Sequence, residues 1–163
     1  VHTAALQDQP MCWTSPMGLP VTQLYYHTRM KRVDTVWGSV RIAVALSEDT
    51  KKVSTSSMRN AIAPCFIHSL DAAHMMLTVE KLTNDGISDY CMVHDSFGTH
   101  ASDTDLLNQR TREAFVEMYS RDLLAEFEAE VSQALPEGTE LPTRPKRGTL
   151  DLSKVLESPY FFS

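Results

Sequence analysis

The hydrophobic spacing of this chain changes near residue 64, and that change constrains the fold more than any single motif does. Before it, in "RVDTVWGSVRIAVAL" from Arg32 to Leu46, β-branched residues flank Trp37-Gly38 in two strand-like segments. After "AIAPCF" the apolar residues recur every three or four positions, the spacing of a helix that buries one face. Strands followed by helices predict an α+β fold. The expected division is a β-rich projection over residues 1–64 and a helix, hairpin and long-helix layer over residues 65–163.

Each half can be read more closely. "MCWTSPMGLPVTQLYY" predicts strand, turn, strand around a Pro/Gly break, and Thr28 to Ser57, ending in "KKVSTSS", predicts a projection of two or three strands with few large aliphatics. "LDAAHMMLTVEKLTNDG" predicts a helix with Ser69 as its N-cap and Gly86 at its end, its Met75-Met76 pair filling core. Tyr90 to Val93 is a short strand. Ser102 is then the expected N-cap of a long amphipathic helix, or of two with a break near Arg121-Asp122. "PEGTELPTRPKRG" reads as a loop and "DLSKVLES" as a last helical turn before "PYFFS".

Composition excludes several classes. The formal charge of -6 argues against a free-standing nucleic-acid binder, although Thr28 to Arg32, Arg41 and Lys51-Lys52 gather positive charge in the first third. Three well-separated cysteines with no Cys-x-x-Cys indicate neither a disulfide framework nor a zinc knuckle, which fits a reducing compartment. The opening "VHTAALQDQP" does not read as a signal peptide, and no apolar run looks long enough to cross a bilayer, so no membrane partner is expected.

Chemistry narrows further. Gly-x-x-x-x-Gly-Lys and Gly-x-Ser-x-Gly are absent, and His68 and His74, six residues apart, do not share a helix face as a zincin pair must. There remains "YCMVHDSFGTHAS", where an apolar run leads into His94 and Asp95 and a small turn-prone stretch. A carboxylate on a turn after a strand is held rigidly, as metal binding or acid/base work requires, but such residues also merely cap turns. Two-metal nucleotidyl transfer is one use, and it normally takes a second aspartate. Asp71, the nearest, is explained by its place in the first turn of the predicted helix.

Several segments, in order, resemble one family. "MVHDSFGTHAS" resembles motif C of the single-subunit DNA-directed RNA polymerases of T-odd-type bacteriophages and mitochondria. "APCFIHSLDAAHMMLTVEK" is similar to the helix before that motif, "CWTSPMGLPVTQLYY" to the segment leading into the promoter-reading hairpin, and "LDLSKVLESPYFFS" to the family's C-terminal end. Cys65 departs from the family's usual Asn, and Phe161 from a small residue.

The resemblance implies a palm-type helix and motif C hairpin behind a fingers-side projection, with Asp95 as a Mg2+ ligand and His94 near the RNA 3′ end. It implies that His68 lies near the incoming nucleotide, that Tyr160 and Phe162 pack the C-terminal foot, and that the carboxylate of Ser163 is brought toward the site. Arg29, Lys31 and Arg41 fall on the segment matching the specificity hairpin, where Arg bidentate to guanine is the physical basis of reading. The family's motif A aspartate and motif B helix have no counterpart here. The implied function is therefore the C-terminal chain or fragment of an RNA polymerase, inactive alone, that works with a complementary N-terminal chain on DNA template and promoter, nascent RNA and NTPs. The cytoplasm of a phage-infected cell, or else a mitochondrial matrix, is the implied location. The alternatives are a non-catalytic polymerase- or DNA-binding remnant or regulator, and a family A DNA polymerase palm.

Overall fold

A computed structural model of the chain describes residues 9–93 and 95–161. The described chain is α+β, with three separate two-stranded antiparallel hairpins and a set of helices. It divides into two compact units, one built from residues up to Cys12 with Thr22–Ala63, the other from Trp13–Val21 with Pro64 onward.

Strands β1 (Cys12–Thr14) and β2 (Pro20–Thr22) pair around a turn in which Gly18, at φ 83°, takes the left-handed region that side chains resist. The main feature of the first unit is the hairpin of β3 (Tyr26–Trp37) and β4 (Val40–Val53). Its turn closes at Gly38, φ 62°, as a two-residue connection needs. The projection therefore has two strands: "KKV" completes β4, and "STSS" starts a helix instead of a third strand.

Helix α1 (Thr55–Asn84) is longer than the sequence suggests. Its start is capped by Ser54, whose Oγ accepts from the Ser57 amide at 3.4 Å. Ser69, expected as the cap, lies in mid-helix, where its Oγ donates to the Phe66 carbonyl and accepts from Trp13 Nε1 at 3.1 Å. The correction has a physical origin: Pro64 reads as a break, because proline lacks a backbone donor and crowds the carbonyl four residues back, yet the helix runs through it. Asp71 consequently loses its first-turn explanation. At full length α1 is also long and apolar enough to cross a membrane by those two criteria alone, contrary to the sequence expectation. Its Leu70 and Ala73 instead pack with Met118, Phe66, Leu77, Tyr119 and Leu123 in one protein core cluster.

The second unit is completed by the hairpin of β5 (Tyr90–Val93) and β6 (Ser96–Thr99), a 3-10 turn at Ala101–Asp103, and helices α2 (Thr104–Ser120), α3 (Leu123–Ala134) and α4 (Ser153–Glu157). The 3-10 turn takes the place of the expected Ser102 cap. The helix break falls where the sequence marks it. Asp122 caps α3 through the Ala125 amide, Arg121 pairs with Glu126, and Arg147 donates to the Tyr119 carbonyl at the open end of α2. Trp13, 2% exposed, packs edge-on to Phe127 and beside Phe66, fastening the β1 end of this unit to α1 and α3.

Candidate active site

The short hairpin sets the position of the one carboxylate the sequence singles out. Val93 pairs with Ser96, which places Asp95 in the connection between the two strands, where it is exposed. Side chains alternate along a strand, and cross-strand partners share a face. Met92 and its partner Phe97 are half-buried together, and the Phe97 ring meets the buried His74 of α1 at 5.7 Å in a T-shaped contact. One anchored face thus leaves the tip pointing outward. The strand ends are fixed as well: Thr99 Oγ1 donates to the Asp89 carbonyl at 2.8 Å.

Behind the tip, α2 supplies a wall. Thr104, Leu107, Asn108 and Thr111 recur at three- and four-residue spacing, one helix face, and with Asp95, Ser96, Phe97 and Phe161 they line a cavity of about 290 Å³. Asp95, Ser96, Thr104, Asn108 and Thr111 are its polar lining residues, and Leu107, Phe97 and Phe161 its apolar ones. This mixture of a few polar groups on an apolar lining is typical of a substrate site.

Three contacts hold α1 and the loop after it to α2. His74 Nε2 donates to the Thr111 carbonyl at 2.8 Å, and its ring also meets Phe115 at 5.8 Å. Burial depresses the His74 pKa below its ordinary 6.5, against the opposing Thr111 hydrogen bond and Asp71 charge. Arg110 clamps the loop after α1 by donating to both Asp85 oxygens, and that pair of bonds holds the Asp85 carboxyl below the usual carboxylate range. Lys81 and Glu117 add an ion pair at 2.6 Å along the same helix pair.

The other predicted residues fall elsewhere. His68 is exposed on α1 and is not among the described walls of the cavity. His94 and Ser163, with Phe162, lie outside the described residues. Tyr160 is 86% exposed, so the aromatic that packs at this end is Phe161, not Tyr160: the Phe161 ring meets Phe115 at 5.0 Å, edge to face. Arg29, Lys31 and Arg41 are all exposed on the long hairpin, but not alike. By register Arg29 and Lys31 share one face with Val33, Val44 and Leu46, while Arg41, opposite Val36, shares the other with Arg32. Arg29 is paired with Glu48 at 2.9 Å and Arg32 with Asp34 at 3.2 Å, which leaves Lys31, Arg41, Lys51 and Lys52 as hairpin cations with no ion pair among the described residues.

A divalent ion, implied by the motif, can be tested against these donors. Among the described residues no group of three or more His, Cys, Asp or Glu converges. Mg2+ commonly takes only one or two protein carboxylates, the rest being water and substrate phosphate oxygens. Asp95, lining one cavity with the oxygen-bearing Ser96, Thr104 and Asn108, fits that donor chemistry as one part of a site whose second carboxylate is not among the described lining residues.

Sequence reasoning singled out Asp95 and missed the wall. Thr104, Asn108 and Thr111 carry a readable signal, their common helix face; Phe161, fifty residues further on, carries none.

Residues 2–141 match the profile of the DNA-dependent RNA polymerase family. The chain is 43% identical over 98% of its length to the tobacco chloroplastic DNA-directed RNA polymerase 3B, of which it spans 16%. It is 42% identical, again over 98% of its length, to DNA-directed RNA polymerase 1 of Arabidopsis thaliana mitochondria, of which it spans 16%. With the tobacco DNA-directed RNA polymerase 1A it shares 42% identity over 98% of this chain and 99% of that one. The chain thus covers about a sixth of the longer relatives and nearly all of one, and by both its profile and its identities it belongs to the DNA-dependent RNA polymerase family, in the single-subunit phage and mitochondrial type.

Proposed function

We propose that this chain supplies the motif C part of the catalytic centre of a DNA-directed RNA polymerase, which adds NTPs to an RNA 3′ end under template direction. The observation that carries the reading is Asp95, an exposed carboxylate on the hairpin that Phe97 joins to His74, lining one cavity with Ser96, Thr104, Asn108 and Thr111. In this reading the second unit is a palm segment and the long hairpin a fingers-side specificity element.

Asp95 would hold Mg2+ together with a carboxylate contributed by a complementary N-terminal part that carries motifs A and B. When bound, the ions would lower the pKa of the attacking hydroxyl and neutralise charge on the leaving pyrophosphate. The chain's own residues do the positioning. Phe97 and His74 fix the hairpin, so that the carboxylate does not reorganise when substrate arrives; such preorganisation is worth more than the contact itself. Thr104, Asn108 and Ser96 offer hydrogen bonds to a polar substrate, and Leu107 and Phe161 exclude water from one side. His94 is assigned to the RNA 3′ end, and His68 and Ser163 to nucleotide or RNA contact. Lys31 and Arg41, and Arg29 when released from Glu48, are assigned to DNA phosphates or base edges.

The relatives named as chloroplastic or mitochondrial favour an organelle over the cytoplasm of a phage-infected cell. A family A DNA polymerase palm is disfavoured because the relatives are named RNA polymerases. The test is synthesis from a duplex promoter template with Mg2+, using this chain alone and mixed with candidate N-terminal polymerase chains. Ribonucleotide incorporation that appears only in a mixture is the expected result. Silence in every mixture, from a folded chain shown to bind its partner, would move the reading to a non-catalytic remnant or regulator.

A further inference from the structure

Arg112 of α2 is an unusual residue to bury. It is 8% exposed, and among the described residues it has no carboxylate within ion-pair distance. A buried guanidinium without a counter-ion is unfavourable unless its donors are satisfied, and an apolar side chain of the same volume would serve packing better. Its compensation comes almost entirely from one distant segment. Nη2 donates to the Ser158 carbonyl at 2.6 Å, and the guanidinium lies 5.9 Å from the centre of the Phe161 ring. Nη1 reaches the Asn108 carbonyl of its own helix at 3.3 Å, and Nε is buried with no partner among the described residues. Phe161, so held, is one wall of the cavity that contains Asp95. Asn108 and Thr111, either side of the same turn of α2, line that cavity too.

We propose that Arg112 is a positioning residue for the reaction at Asp95: it pins the 158–161 segment onto α2 and thereby fixes the Phe161 wall, without itself touching substrate. The retained charge is explained by geometry. A planar fork serves two carbonyls and a ring face at once, which neither Met nor Lys can do. The inference rests on the catalytic reading above for its consequence, but the anchor itself does not.

Two measurements separate the parts. Hydrogen exchange by mass spectrometry, on the whole chain, compares the unaltered protein with Arg112→Met and Arg112→Lys. The expected result is exchange about tenfold or more faster in the 158–161 segment of Arg112→Met, with the amides of α1 unchanged and Arg112→Lys intermediate. Unchanged exchange in that segment overturns the anchor. Should Arg112→Met fail to fold, Arg112→Lys, which keeps the charge and loses the fork, carries the same test.

The second measurement is promoter-templated RNA synthesis in the complemented mixture. Loss of a constraint felt only at the transition state predicts kcat lowered about tenfold with KM for NTP within about twofold, and partial recovery in Arg112→Lys. Faster exchange with kcat unchanged overturns the positioning role and leaves Arg112 a structural tie. Silence of the unaltered mixture overturns the catalytic reading and the positioning role with it, while the exchange result still decides the anchor.

Discussion

The long and the short antiparallel hairpins of this chain are built from the same motif and differ in how they are packed. The long one, β3 with β4, exposes Trp37, Val40 and Met30 and buries little along most of its length. The short one, β5 with β6, has only four residues a strand, yet Phe97, cross-strand partner of the half-buried Met92, anchors it against His74 of α1. An isolated two-stranded hairpin is marginally stable in water, and a single packed face changes that. A carboxylate that must be held in place belongs on the anchored hairpin. Residues that must follow the shape of a large partner can sit on the other.

Substitutions can break or sharpen that contrast. Phe97→Ala, which removes the half-buried anchor ring, is expected to lower unfolding stability by about 2 kcal/mol, whereas Val44→Ala on the exposed hairpin changes it by no more than about 0.5 kcal/mol. Urea denaturation of the two variants measures the difference, and equal losses would show that both hairpins are packed alike.

A smaller effect is the pH response of the anchored side. Folded His74 resists protonation while the unfolded chain binds a proton near pH 6.5, so its contribution to stability is present above that pH. It is lost as pH falls from there toward the depressed folded value. Thermal melts between pH 7.5 and 5.5 should fall with acid in the unaltered chain and fall less in His74→Gln, although that variant begins from a lower value. A parallel fall in both would remove His74 from the account.

Least in size are the charges of the exposed hairpin. Replacing Lys31 or Arg41 by Ala should weaken duplex binding by the complemented polymerase and reduce the slope of log affinity against log salt by about one. Arg29→Ala should do less, because Glu48 already compensates that charge in the free chain. Equal effects at all three positions would mean that the Arg29 pair opens on binding.

Much of this could be read from the sequence, and the failures have identifiable causes. Both hairpins announced themselves, one through Trp37-Gly38 between β-branched runs and the other through a short apolar run ending at His94-Asp95. The α2–α3 break at Arg121-Asp122 was visible because Asp is a cap and interrupts an amphipathic run. The start of α1 was not visible. Pro64 and a serine-rich lead-in imitate a boundary, and only tertiary packing, of Leu70 and Ala73 with Met118 and of Phe66 with Trp13, shows that one helix runs through. The cavity wall was half legible, since a helix face can be predicted from spacing. The Arg112 contact to Ser158 could not be, because it joins positions 46 apart through a backbone carbonyl that no residue type reveals.

The central claim is that Asp95 does chemistry rather than cap a turn. The measurement is ribonucleotide incorporation on a promoter template by the complemented mixture, with Asp95→Asn beside the unaltered chain and partner binding checked for both. Asn keeps the shape and the turn and removes the charge that a divalent ion needs. The account predicts undiminished partner binding with incorporation lowered at least about a hundredfold. Incorporation within a few-fold of the unaltered chain, with binding intact, would contradict it.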